Sequence, residues 1–157
     1  MTKAIPEGYH SVTPILVFKD TRKAIEFYKS AFGAQEQFIL PAPEGKGVMH
    51  AELRIGSSIL MMGDENPDQP CKSAETLGDS PVTFYLYLEN VDDAFQVAVQ
   101  AGAKARMPVE NMFWGDRVGS VQDPFGYSWI LATHVKDATP EEIERGAHAA
   151  CAETTNP

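Results

Sequence analysis

Displaced by 70 residues, this sequence falls back onto its own pattern, and no other feature constrains the fold as much. Thr13 lands on Thr83, Asp20 on Asn90, Ala24 on Ala94 and Gly56 on Gly126. Solenoid repeats recur every ~20–50 residues, so a longer period indicates one supersecondary unit used twice.

The first copy opens with Thr13-Pro14-Ile15-Leu16-Val17-Phe18, a β-rich run. Pro14 lacks an N–H and belongs at the start of the strand or on an edge. From Thr21 to Phe32, Ala24, Ile25, Phe27, Tyr28, Ala31 and Phe32 recur at helical spacing. Asp20 or Thr21 caps that helix and Gly33 stops it. Three strand-like runs follow, over 36–40, 48–55 and 58–62, parted by turns rich in Pro and Gly. The second copy repeats the order, with a strand over 82–89 and a helix over 91–101, then strands over 105–109, 116–122 and 128–133.

The spacing predicts a first βαβββ module over 10–63, a polar linker over 64–81 and a second module over 82–135. Thr139-Pro140-Glu141-Glu142 supplies a cap, a proline at the first helical position and a capping-box acid. A C-terminal helix is therefore expected over 139–150. The whole chain, 1–157, reads as a single domain of the α+β class.

Composition removes several kinds of function. A formal net charge of −9 argues against a nucleic-acid partner, which calls for a basic face. No apolar run reaches 18 residues, so no membrane span is expected, and the first residues carry no secretory signal. Cys71 and Cys151 lack the paired spacing of a zinc site. The expected location is the cytoplasm.

Two βαβββ units, with Asp123-Pro124-Phe125-Gly126 before the last strand, resemble the vicinal oxygen chelate superfamily. That superfamily holds glyoxalase I, bleomycin- and fosfomycin-resistance proteins, extradiol dioxygenases and methylmalonyl-CoA epimerase. The likeness runs over roughly residues 10 to 135. Within it the chain is most similar to the PhnB-like branch, through Thr13-Pro14, Ala24-Ile25-Glu26-Phe27-Tyr28 and Ala31-Phe32-Gly33-Ala34. His50-Ala51-Glu52-Leu53, Trp114-Gly115-Asp116-Arg117 and Trp129-Ile130-Leu131-Ala132-Thr133-His134 complete the match. The resemblance implies paired modules forming a half-barrel around a small-molecule ligand, and a homodimer.

Members that use a metal place one ligand seven residues before the acid that ends each module's first strand. This chain has Thr13 and Thr83 there. They place a glutamate in each module's last strand, where this chain has Ile130 and, depending on the gap, Leu60 or Met61. None of these side chains replaces histidine or glutamate on a divalent cation. The protein is expected to be metal-free and to need no cofactor.

Strand alternation sorts the residues of such a half-barrel. Met49, Ala51, Leu53 and Ile55 form a helix-facing side, and Val48, His50, Glu52 and Arg54 the other. Phe84, Leu86 and Leu88 face the helices, leaving Thr83, Tyr85 and Tyr87 for the ligand. The shift by 70 makes Ser120 and Gln122 the counterparts of His50 and Glu52. His50 and Glu52 are the candidate catalytic pair, an imidazole beside a carboxylate that tunes it. Ligand contacts are expected from Thr13, Thr83, Tyr85, Tyr87, Trp114, Arg117, Ser120, Gln122 and Ile130. Arg117 either clamps an anion or pairs with Asp116 or another acid. Trp129 and Leu131 read as core, while His10, His134 and His148 read as solvated or capping residues.

Three functions compete. One is binding or sequestering a small amphipathic or aromatic molecule. The second is a lyase or isomerase of the glyoxalase type, through His50 and Glu52 or an unconventional metal set. The third is an assembly role with a vestigial pocket.

Overall fold

In a computed structural model describing residues 2–154, each half of the chain folds as strand, helix and three strands. The first half contains β1 (Ile15–Phe18), α1 (Thr21–Phe32), β2 (Gln35–Pro41), β3 (Val48–Ile55) and β4 (Ser58–Asp64). A short helix, α2 (Ala74–Leu77), lies in the connection. The second half contains β5 (Thr83–Tyr87), α3 (Val91–Ala101), β6 (Lys104–Asn111), β7 (Asp116–Gln122) and β8 (Ser128–His134). Helix α4 (Pro140–Thr154) follows. The two four-stranded sheets have matching orders, β1-β4-β3-β2 and β5-β8-β7-β6. In each, the first strand is parallel to the last and the other neighbours are antiparallel. The fold class is thus the expected one, two βαβββ modules consistent with a half-barrel arrangement.

Local signals placed the helices. The Asp20 side chain accepts from Lys23 N at 3.2 Å and Asn90 does the same for Asp93 N at 3.2 Å, so Asp20, not Thr21, caps α1. In α4 the capping box is closed: Glu142 N donates to Thr139 Oγ1 at 3.2 Å, and Thr139 N to Glu142 Oε2 at 2.8 Å. The helix runs on to Thr154, beyond the expected end at 150.

One core joins the halves. α1 packs against α3, and Trp129 of β8 lies against Phe32 and Tyr28 of α1, with ring centroids 4.8 and 5.4 Å apart. Phe18 of β1 meets Phe125 and Tyr127, each at 5.4 Å, in the turn before β8. At the centre lies Asp123, 4 % exposed. It accepts from Tyr28 Oη at 2.5 Å, Trp129 Nε1 at 3.0 Å, Phe125 N at 3.0 Å and Tyr127 N at 2.9 Å. Burial pushes its carboxyl above the ordinary value, and these donors work against that. The Asp-Pro-Phe-Gly segment is therefore a structural hub as well as a turn.

The ladders correct three expectations. Between Leu40↔His50 and Pro41↔Val48 the β2–β3 register slips, so Met49 is an extra residue and alternation inverts beyond it. Val48 is consequently buried (1 %) and Met49 exposed (56 %), the reverse of the simple pattern. The bulge brings the Met49 carbonyl to 2.8 Å from where a Cβ of residue 63 would lie, and Gly63 fits there.

The second correction concerns the repeat. Ile15 and Glu52 both pair with Met61, and Tyr85 and Ser120 both pair with Ile130. Ser120 is thus the counterpart of Glu52, and Gln122 of Arg54, not of His50 and Glu52 as a uniform shift of 70 implies. The offset falls from 70 to 68 because Glu52 lies 37 residues beyond Ile15, but Ser120 only 35 beyond Tyr85. The same registers decide between Leu60 and Met61: Met61 matches Ile130. The third concerns His134, which is exposed as expected but also ends β8 in a side-chain cluster described below.

Candidate functional site

Polar side chains gather in two places on the sheet surfaces turned away from the helices. On the first sheet, β3 carries His50 and Glu52 on one face, and their side chains meet: His50 Nε2 lies 3.1 Å from Glu52 Oε1. Tyr9, from the segment before β1, donates its hydroxyl to Glu52 Oε2. These bonds, first from Tyr9 and then from His50, hold the Glu52 carboxyl below its usual range. A cavity of about 170 Å³ beside them is lined by Ile15, Val17, Met49, His50 and Met62 among others. The arrangement fixes one imidazole nitrogen on a carboxylate at the edge of a hollow that Asp64, Asn66 and Gln69 also line.

On the second sheet, Tyr85 and Tyr87 project from the same face of β5, ring centroids 5.1 Å apart. Both hydroxyls donate to Asp116 Oδ2, at 2.7 and 3.0 Å. Trp114 Nε1 donates to Tyr85 Oη at 3.3 Å. Asp116 is 3 % exposed, and its other oxygen lies 2.8 Å from Nδ1 of His134. The second nitrogen of His134 is 2.9 Å from Asp137 Oδ1. A groove of about 490 Å³ is lined by Tyr87, Leu88, Glu89, Thr133 and His134.

Geometry sets the charges here. Burial pushes the Asp116 carboxyl up, but donors from Tyr85, His134 and Tyr87 outweigh it and hold the group below its ordinary value. Burial, followed by the bond to Asp116, pushes Tyr85 up to about 12, and the same carboxylate raises Tyr87. Asp137 and then Asp116 raise His134 above the ordinary imidazole value. A raised histidine stabilises the fold fully below its unfolded pKa, and that contribution is lost as pH rises through the folded value. We therefore expect His134 to titrate above its model-peptide value of about 6.5 by NMR, and Asp116→Asn to bring it down. An unshifted His134 in the native protein overturns this account.

A glycine supports the turn that carries Trp114 and Asp116. Gly115 has φ 101, and its carbonyl accepts from Val135 N and Lys136 N, each at 3.0 Å. A Cβ there would lie 2.0 Å from the Lys136 carbonyl oxygen, so a side chain would push the chain after β8 away.

The remaining expected residues divide. Arg117 is turned to α3, where Nε and Nη2 donate to Asp92 at 2.8 and 2.7 Å, so its fork is filled by that acid and not by Asp116. Gln122 accepts from Arg106, and Ser120 and Ile130 are half-buried in the second sheet. Thr13 borders a cleft of about 150 Å³ that Phe84, Tyr85, Leu86 and Trp129 also line, while Thr83 is exposed. Phe113 stacks edge-on with Trp114 at 4.9 Å and touches α4 at Gly146. Tyr9, Asp116 and His134 were missed as site residues, although Trp114-Gly115-Asp116-Arg117 was a visible motif. Asp116 and His134 are 18 residues apart, and strand pairing alone joins them.

The metal used by many proteins of this architecture does not fit. Its four positions hold Thr13, Met61, Thr83 and Ile130, of which the ladders match Met61 with Ile130. Among the described residues no group of three or more His, Cys, Asp or Glu is placed to hold an ion.

Fold and geometry together define a protein of paired βαβββ modules with polar clusters on the sheet faces turned from the helices. Residues 9–131 match the Glyoxalase/Bleomycin resistance protein/Dioxygenase superfamily, and the chain belongs to that family. It is 41 % identical over 138 residues to the uncharacterised protein Mb0911c of Mycobacterium bovis, covering 85 % of this chain and 90 % of that one. The crystal structure of an Arabidopsis thaliana gene product, At5g48480, is similar at 31 % identity with a TM-score of 0.62, covering 79 % of this chain and 98 % of its own. Protein PA1353 of Pseudomonas aeruginosa is similar at 25 % identity with a TM-score of 0.65, covering 81 % and 99 %. No helix among the described residues is long and apolar enough to cross a membrane.

Proposed function

We propose that this protein binds a small amphipathic or aromatic molecule on the outward sheet faces, without a metal. The observation that carries this reading is the Tyr85–Tyr87 pair, 40 % and 60 % exposed, with both hydroxyls pinned on a buried carboxylate. The rings are thus held in place before a ligand arrives, which lowers the entropic cost of binding. Apolar side chains on the first sheet, Ile15 at 68 % and Phe38 at 49 % exposed, add surface that the shared core does not cover.

Tyr87→Ala is expected to weaken ligand binding by about 1–3 kcal/mol, the scale of a buried aromatic contact. His50→Ala is expected to change ligand orientation more than affinity. A thermal-shift screen followed by calorimetric titration of both variants tests this. A ligand whose affinity ignores both substitutions places the site elsewhere.

A homodimer is part of the proposal. Both sheets send their helix-facing sides into one core, so their other faces look away from it, and a second copy can close each face into a fuller barrel. Light scattering at tens of micromolar, an order-of-magnitude condition for a stable interface, is expected to give twice the chain mass; a monomer removes the idea. One observation favours a second reading, an acid–base lyase or isomerase: His50 has one nitrogen on Glu52 and borders a cavity. Turnover of a bound compound that stops in His50→Ala would favour it.

A further inference from the structure

We propose that the Tyr85–Tyr87 face selects an organic cation, an alkylammonium group seated on the two rings above the Asp116 carboxylate. The inference rests on reading this face as the ligand site and names the class of ligand it takes.

Hydrogen-bonding capacity comes first. The hydroxyls of Tyr85 and Tyr87 are both spent on Asp116, and the Trp114 N–H on Tyr85. What these side chains still offer a ligand is chiefly ring surface, 5.1 Å between centroids and tilted by 48°. The negative face of an aromatic ring attracts a cation, and a phenol that donates to a carboxylate has a more electron-rich ring.

Charge points the same way. Asp116 and Asp137 flank a single imidazole, so the cluster carries at least one negative charge in excess in either state of the ring, and Glu89 lines the adjoining groove with Tyr87. Cations of the chain itself are held elsewhere: Arg117 by Asp92 at 2.7 Å and Lys136 by Glu142 at 2.8 Å. An anionic ligand would meet a carboxylate, with the tyrosine hydroxyls and the Trp114 N–H already engaged. A neutral one would gain nothing from the excess charge. An ammonium group gains from both the rings and the carboxylate.

The test compares choline with dimethylbutanol, its uncharged isostere with carbon in place of nitrogen, followed by NMR of the tyrosine rings in the full-length protein. Choline is expected to bind about tenfold more tightly than the isostere, with Tyr87→Leu losing that advantage and Tyr87→Phe retaining most of it. Equal affinities, with Tyr87→Leu still weakening both, overturn the cation and leave the binding face standing. If neither compound shifts the Tyr85 and Tyr87 signals, the proposal falls, and with it the reading of this face as the ligand site.

Discussion

Asp123→Ala is expected to lower stability by about 3–5 kcal/mol, with a fall in Tm of about 10 °C. The carboxylate accepts from two side chains and two backbone amides, and alanine leaves all four donors without an acceptor in a dry interior. Each orphaned donor costs about 1–3 kcal/mol, and relaxation of the turn keeps the sum below the simple total. Asp123→Asn keeps an acceptor and is expected to cost less. Urea denaturation followed by circular dichroism measures both. A loss under about 1 kcal/mol for the alanine variant would mean that the donors find other partners, and the hub is then no hub.

Trp129→Ala is the second large effect, also about 3–5 kcal/mol, through the cavity it opens. Trp129 is 2 % exposed and touches Phe84 of its own module at 4.7 Å and Phe32 of the first at 4.8 Å. Its removal is therefore expected to lower both halves of the chain together, in one transition. Two separated transitions would show that the modules hold independent cores. Because Trp129 also donates to Asp123, the double variant should lose less than the two singles combined, by about 0.5–3 kcal/mol. Strict additivity would deny that the two residues act as one unit.

These effects bear on function through position. The Asp-Pro-Phe-Gly turn that holds Asp123 feeds β8, and β8 delivers His134 to Asp116. A ring pair anchored on Asp116 is only as well placed as the strands that carry it. The family relationship supplies the scaffold, and the proposed ligand would be chosen by the Tyr85–Tyr87–Asp116 cluster set on it.

How much of this was written in the sequence depends on the range over which each feature is decided. Helices α1 and α3, their caps and the bounds of β3 and β7 were legible because propensity, capping and alternation act within a few residues. The duplication was legible as well, and with it the fold class. His50 and Glu52 sit together because strand neighbours of one parity share a face, a local rule. Tyr85 and Tyr87 share a face of β5 for the same reason.

What the tertiary structure alone decided is pairing at a distance. The Met49 bulge comes from a slip between two strands and inverts Val48, which no periodicity in β3 foretold. Ser120, not Gln122, matches Glu52 in the repeat because the stretch from first to third strand is two residues shorter in the second module. Tyr9 reaches Glu52 across 43 residues, and His134, read as a solvated flank, becomes the partner of a buried acid. Strand register is a property of two segments at once. A sequence read one segment at a time gives each side chain a face, and the partner it meets on that face is fixed when the sheet forms.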